Sequence, residues 1–118
     1  MANKILIVDD NPNMSSLLSE MLEVFDYESV LASDGHQALN ELQNGEFSMV
    51  ITDMRMPNMS GMELLKEVKE LYPKVPVVLI SGYTGGQIES EAESLKADGF
   101  LGKPLMMSDI EKLLKDLL

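Results

Sequence analysis

Three short stretches of this chain are continuously apolar, with almost no alternation of apolar and polar residues. They occupy residues 5–8, 49–52 and 77–80, and weaker strand-like runs cover residues 28–32 and 99–102. Strands that are covered by helices on both faces have this continuous apolar character. Stretches with apolar residues at helical spacing follow each of the five runs. The sequence therefore predicts alternating strands and helices, which is typical of an α/β fold with a parallel sheet.

Five helices are predicted, one after each strand. Their starts are Asn11-Pro12 for the first, Ser33 or Asp34 for the second, and the capping boxes Ser60 to Glu63 and Ser108 to Glu111 for the third and the last. The fourth helix has only a thin apolar stripe of Ile88, Ala92 and Leu95. The predicted buried faces of the other helices include Leu17 in the first, Leu71 in the third, and Leu113 and Leu117 in the last. With right-handed crossovers, these elements form a doubly wound, five-stranded parallel sheet of order 2-1-3-4-5, with helices on both faces and a flavodoxin-like fold.

The length and composition of the chain exclude several classes of function. At 118 residues the chain has the size of one domain, which we expect to span residues 1–118. Its 20 acidic and 9 basic residues give a net charge of −11, which argues against direct binding to nucleic acid or to anionic membranes. Cysteine is absent, which excludes disulfides and thiolate chemistry. The sequence has no signal-peptide pattern and no apolar segment of transmembrane length, so we expect a cytoplasmic protein.

Polar residues follow four of the predicted strands, at the point where each strand ends. They are Asp9 and Asp10, Asp53, Ser81, and Lys103. Because the carboxyl ends of parallel strands meet at one edge of the sheet, we expect these side chains to lie close together. Repulsion among clustered carboxylates needs compensation, which a hard divalent cation such as Mg²⁺ supplies. The alternative is that Asp10 caps a helix and Asp53 begins a turn, but capping leaves Ser81 and Lys103 unexplained.

Over its whole length the chain resembles the receiver domain of two-component response regulators. The matching motifs are Asp9-Asp10 after strand 1, the nine residues from Asp53 to Gly61 after strand 3, Ser81-Gly82 after strand 4, and Lys103-Pro104 after strand 5. Each motif is weak alone, but the four in this order are specific to the family.

The resemblance implies a role for each site residue. Asp53 would be the phosphoacceptor, receiving its phosphoryl group from a sensor histidine kinase or a phosphotransfer protein. Asp10, Asp53 and the main-chain carbonyl of Arg55 would ligate Mg²⁺, with Mn²⁺ able to substitute, and Asp9 would act through bound water. Lys103 and Ser81 would contact the phosphoryl oxygens, so that Asp53, Ser81 and Lys103 carry the chemistry. Lys103-Pro104 would be a cis peptide.

The resemblance also implies a switch rather than a conventional enzyme. Only self-phosphorylation and self-dephosphorylation would occur, with Arg55 and Tyr83 setting the lifetime of the phosphoryl group. Ser81 and Phe100 would move on phosphorylation and change a surface made by the fourth helix, the fifth strand and the last helix. A downstream protein would bind this surface, and we expect the unphosphorylated chain to be monomeric.

Two other functions use a similar fold or intermediate. A haloacid-dehalogenase-like phosphatase also forms an aspartyl phosphate, but it normally has an acid two residues after the nucleophile, where this chain has Arg55. A flavodoxin-like nucleotide binder needs a Ser/Thr/Gly loop after strand 1, whereas Asp9 and Asp10 would repel its phosphate. Both interpretations are weaker than the receiver domain.

Two further sets of residues carry simpler predictions. His36, the only histidine, is predicted to lie on the polar surface of the second helix. Four methionines are predicted to pack the loop after Asp53 against the sheet. They are Met54, Met56, Met59 and Met62.

Overall fold

A computed structural model describes residues 3–56, 59–81 and 97–118 of the chain. Five parallel strands form one sheet in the order β2-β1-β3-β4-β5. The strands are β1 (Lys4–Val8), β2 (Glu28–Ala32), β3 (Met49–Asp53), β4 (Val77–Ser81) and β5 (Gly99–Gly102). The helices are α1 (Pro12–Glu23), α2 (Gly35–Asn44), α3 (Gly61–Leu71) and α4 (Met107–Leu117). The predicted fold class and strand order are confirmed, while the predicted helix with Ile88, Ala92 and Leu95 lies outside the described residues.

The sheet separates two hydrophobic clusters. Side chains of α2 and α3 pack on one face with Leu6, Val50 and Leu79, whereas α1 and α4 pack on the other face with Ile7 and Ile51. Neighbouring residues of a strand point to opposite faces, which explains why even-numbered β3 residues join the first cluster and odd-numbered ones the second. Helices on both faces account for the continuous apolar character of β1, β3 and β4.

Most of the predicted helix starts are confirmed. The side chains of Asn11, Asp34 and Ser60 accept hydrogen bonds from main-chain N–H groups in the first turns of α1, α2 and α3. The predicted capping box at Ser108 is wrong, because α4 already begins at Met107 and its N-cap residue is Met106. The Met106 carbonyl accepts the N–H groups of Asp109 and Ile110, which places Ser108 inside the first turn. None of the four described helices has the length and apolar content needed to cross a bilayer.

The predicted buried faces are correct at their centres and wrong at their margins. Leu18 and Leu22 of α1 are buried, but Leu17 is 45% exposed. In α3, Leu71 is 59% exposed although the helical spacing predicts a buried residue. Leu113 and Leu117 of α4 are only partly buried against the cluster on their face. Each of these residues lies at the edge of the apolar face of its helix. A residue there is buried only if the surface packed against the helix extends that far.

The loop after β3 is anchored by its methionines, as predicted. All four pack, partly buried, against the cluster that contains α2 and α3. Met59 also fits against Gly35 at the start of α2, where a Cβ atom would overlap the methionine side chain. His36, the next residue of α2, is exposed, as predicted.

Candidate functional site

Three carboxylates converge at the edge of the sheet where β1 and β3 end. Asp9 and Asp10 follow β1, Asp53 is the last residue of β3, and the two strands are paired in parallel register. One oxygen from each carboxylate lies within 4.8 Å of the others. Asp9 and Asp53 are buried, with 5% and 8% exposure, whereas Asp10 is exposed. The cluster is therefore open to solvent at Asp10.

The surroundings of Asp9 disfavour its negative charge. Burial of the Asp9 carboxyl raises its pKa, and the nearby charges of Asp53 and Asp10 raise it further. Two contacts act in the opposite direction: the main-chain N–H of Asn11 donates to Asp9 Oδ1 at 2.9 Å, and the Lys103 ammonium is close by. Because the pKa of Asp9 is raised despite these contacts, burial and the neighbouring carboxylates outweigh them.

Lys103, the residue directly after β5, joins the cluster. Its Nζ lies 3.4 Å from Asp53 Oδ1, with the lysine side chain 32% exposed and the aspartate side chain 11% exposed. The Lys103-Pro104 peptide is cis, as predicted. The Lys103 ammonium thus brings a positive charge to the carboxylate cluster.

The turn after Asp53 is held by contacts that the sequence did not predict. Thr52 is fully buried, and its hydroxyl donates to the main-chain carbonyl of Asp53 at 3.0 Å. Gly61 packs so closely against that carbonyl that a Cβ atom would overlap it, and the Gly61 N–H donates to the Met54 carbonyl at 3.0 Å. The sequence contains one signal for the Thr52 contact. Thr52 places a hydroxyl at the end of an apolar strand, and a buried hydroxyl needs a hydrogen-bond partner.

The structure describes the remaining predicted site residues to different extents. Ser81 ends β4 opposite Gly102 of β5, but only its main chain is described. Phe100 lies opposite Leu79 and packs, partly buried, against the cluster on the α2 and α3 face. Arg55 is exposed and lies in the turn after Asp53. Tyr83 lies outside the described residues.

The donor set fits a hard divalent cation. Carboxylate oxygens are the ligands that Mg²⁺ prefers, and an exposed Asp10 leaves room for the water molecules that Mg²⁺ retains. Two unit charges about 4 Å apart repel by about 4 kcal/mol at an effective dielectric constant of about 20, and a cation removes that cost. The acidic cluster can therefore bind a metal ion.

Comparison with known proteins identifies the class to which this fold and site belong. The family model of the response regulator receiver domain matches residues 5–115. The chain is 34% identical over 111 residues to the transcriptional regulatory protein ZraR of Escherichia coli (strain K12), which covers 94% of this chain and 25% of ZraR. The chain belongs to the response regulator receiver domain family.

Solved structures give the same result. The chemotaxis protein CheY4 of Vibrio cholerae matches with a TM-score of 0.91 and 32% identity, covering 100% of this chain and 99% of that one. The receiver domain of the sensor histidine kinase PA1611 of Pseudomonas aeruginosa PAO1, described with a magnesium ion in its active-site cleft, shares the fold with a TM-score of 0.88 at 21% identity, covering 99% and 98% of the two chains.

Membership of the family decides among the functions considered above. The chain is a receiver domain of the two-component type, a family of phosphoacceptor switches rather than conventional enzymes, and neither the phosphatase nor the nucleotide binder is favoured. It spans about a quarter of the length of ZraR. Receiver domains interact with histidine kinases and with downstream effectors.

Proposed function

We propose that this receiver domain accepts a phosphoryl group on Asp53. The observation that carries the proposal is the convergence of three carboxylates within 4.8 Å, with the Lys103 ammonium 3.4 Å from Asp53 Oδ1. Of the three, Asp53 joins the metal-binding cluster to a cation. That combination suits a carboxylate that must receive a group with several negative charges.

The transfer is a displacement at phosphorus. An Asp53 oxygen forms a bond to phosphorus while the phosphorus–nitrogen bond of a donor phosphohistidine breaks, and the electron pair of that bond remains on the imidazole. Lys103 would hold a phosphoryl oxygen, and its position 3.4 Å from Asp53 Oδ1 supports this role. Ser81 would donate its hydroxyl to another of the oxygens, and its position at the end of β4 supports this role.

Asp10, Asp53 and the main-chain carbonyl of Arg55 would hold Mg²⁺ or Mn²⁺, with Asp9 acting through water. The convergence of the three carboxylates within 4.8 Å supports a shared metal site. When bound, the ion would supply positive charge beside the phosphoryl oxygens.

A sensor histidine kinase or a phosphotransfer protein would supply the phosphoryl group. A downstream protein would bind a surface that includes β5 and the last helix, α4. This surface would change when Ser81 and Phe100 move. The partly buried position of Phe100 supports this role, because part of its surface is still exposed and its burial can therefore change. Arg55 and Tyr83 would control access of hydrolytic water to the phosphoryl group.

The proposal is tested with acetyl phosphate, a small phosphodonor, and Mg²⁺. Intact-mass measurement should show one added phosphoryl group on the wild-type chain and none on Asp53→Asn. Asp116→Asn, which removes an exposed carboxylate of α4, is the matched control and should be labelled normally. Equal labelling of Asp53→Asn and wild type would overturn the assignment.

A further inference from the structure

Thr52, the residue before Asp53, has the only hydroxyl group in β3. Its side chain is fully buried, and its hydroxyl donates to the main-chain carbonyl of Asp53 at 3.0 Å. Burying a hydroxyl costs free energy unless it is hydrogen-bonded, and valine would fill the same space without that cost. The hydroxyl therefore calls for an explanation other than packing.

The position of the hydroxyl relates it to the turn that follows Asp53. The same oxygen lies 3.9 Å from Met56 Sδ, so one side chain contacts both ends of the segment from Asp53 to Met56. Between these contacts, the Met54 N–H donates to the Ile80 carbonyl of β4 at 3.0 Å. The segment also contains Arg55, whose main-chain carbonyl is a metal ligand in the proposed function.

Thr52 does not share the face of the sheet that Asp53 uses. In register it lies between Val8 of β1 and Leu79 of β4, and both belong to the cluster on the α2 and α3 face. Because neighbouring residues of a strand point to opposite faces, Thr52 acts on the site through the main chain that it shares with Asp53.

We infer that Thr52 is a positioning residue that fixes the main chain from Asp53 to Met56 for phosphoryl transfer and metal binding. The inference rests on the proposed function of Asp53. By holding the Asp53 carbonyl, the hydroxyl sets the orientation of the following peptide, on which the directions of the Asp53 carboxylate and the Arg55 carbonyl depend. Small displacements of a reacting group from its productive geometry slow a reaction strongly.

The test compares three variants that separate the hydroxyl from packing. Thr52→Val keeps the shape and removes the hydroxyl, and Thr52→Ser keeps the hydroxyl. Val50→Ala is the matched control, because Val50 is fully buried two residues earlier on the same strand and face. Each chain is assayed for its rate of phosphorylation by acetyl phosphate and for the Mg²⁺ concentration that gives half of the thermal stabilisation. Urea unfolding records the stability of each variant.

We expect Thr52→Val to be phosphorylated about fivefold more slowly and to need about fivefold more Mg²⁺, the ratio that corresponds to about 1 kcal/mol for one hydrogen bond. Thr52→Ser should restore both values to within about twofold of wild type. Val50→Ala should be destabilised yet react at the wild-type rate with the wild-type Mg²⁺ requirement.

Three results would overturn the inference. The first is a Thr52→Val variant that matches wild type in both assays, the second is a Thr52→Ser variant as impaired as Thr52→Val, and the third is a Val50→Ala variant impaired to the same extent. A wild-type chain that acetyl phosphate does not label contradicts the proposed function instead. In that case the Mg²⁺ midpoint of Thr52→Val still decides whether Thr52 positions the metal ligands.

Discussion

At the scale of single residues, Asp9 carries a conflict between its burial and its charge. The carboxyl is buried beside Asp53 and Asp10, and its pKa is raised even though the Asn11 N–H and Lys103 favour the ionised form. In the metal-free protein, the ionised Asp9 thus opposes folding. A bound cation would reverse that effect, so the acidic cluster links the stability of the chain to metal and to pH.

The stability of the metal-free protein should depend on pH through Asp9. As pH rises from the ordinary pKa of 3.8 through the raised pKa of the folded state, the unfolded chain releases the Asp9 proton before the folded chain does. The free energy of unfolding therefore falls across this window. Asp9→Asn keeps the acceptor for the Asn11 N–H and removes the charge. In EDTA its melting temperature should exceed that of wild type at pH 7, and the difference should shrink at pH 4.

Adding Mg²⁺ gives the corresponding control. At pH 7, Mg²⁺ should raise the melting temperature of wild type more than that of Asp9→Asn, because the variant has less repulsion to relieve. Asp116→Asn should respond like wild type in both experiments. A melting-temperature difference between Asp9→Asn and wild type that is the same at pH 4 and pH 7 would contradict the role given to Asp9.

At the scale of secondary-structure elements, α4 differs from the other described helices at its start. The first turns of α1, α2 and α3 are capped by the side chains of Asn11, Asp34 and Ser60. The N-cap residue of α4 is Met106, which makes no side-chain capping bond and is 53% exposed. The start of α4, next to Lys103 and Pro104, therefore lacks a stabilising contact that its sequence could supply.

Met106→Ser should stabilise the protein by about 1 kcal/mol, because serine accepts a hydrogen bond from a main-chain N–H group of the first turn. Urea unfolding measures the change. Met107→Ser, which places the same residue inside the helix, is the control and should not stabilise. Equal effects of the two substitutions would show that loss of an exposed methionine, and not capping, is responsible.

Local sequence patterns were sufficient to predict most of these elements. Continuous apolar runs gave β1, β3 and β4 because these strands are covered on both faces, and capping residues located three of the four described helices. The start of α4 was missed because Ser108 and Glu111 satisfy the capping pattern while the main chain begins the helix earlier. The exposure of Leu17 and Leu71 depends on which elements lie beside each helix, and helical spacing does not contain that information.

The candidate site was predictable to a similar degree. Asp9, Asp10, Asp53 and Lys103 all lie at or directly after the carboxyl ends of strands, so the parallel sheet brings them together. The buried contacts of Thr52 and Gly61 were not predicted, because they depend on how closely the turn after Asp53 packs.

At the scale of the whole molecule, a second group of charged residues lies at the end of the sheet opposite the acidic cluster. Asp98, just before β5, accepts the Val77 N–H at 2.8 Å and pairs with Lys69 of α3 at 2.5 Å. Lys69 also donates to the Val75 carbonyl at 3.2 Å. This group connects α3, β4 and β5 at the end of the sheet away from the acidic cluster, so we expect its function to be structural.

Substitution of Asp98 should lower stability without changing phosphorylation. Asp98→Asn keeps an acceptor for the Val77 N–H and loses the ion pair, which is partly exposed, so it should cost about 0.5–1 kcal/mol. Asp98→Ala also leaves the Val77 N–H without its acceptor and should cost about 2 kcal/mol. Urea unfolding gives the two costs, and acetyl phosphate labelling should proceed at the wild-type rate in both variants. Slow labelling of Asp98→Asn would instead indicate that the two ends of the sheet are coupled.

The separation of the two hydrophobic clusters by β3 has a consequence for genetics. Asp53 belongs to the odd-numbered series of β3 and Thr52 to the even-numbered series, so the two residues have different sets of neighbours across the sheet. Compensating second-site mutations should divide in the same way. Second-site mutations that compensate for Thr52→Val are expected among Val8, Leu79 and the methionines of the turn. Second-site mutations that compensate for weaker phosphoryl acceptance by Asp53 are expected among the neighbours of Asp53. In a mutant library selected for restored signalling, the positions of the compensating mutations should therefore divide between the two faces of the sheet.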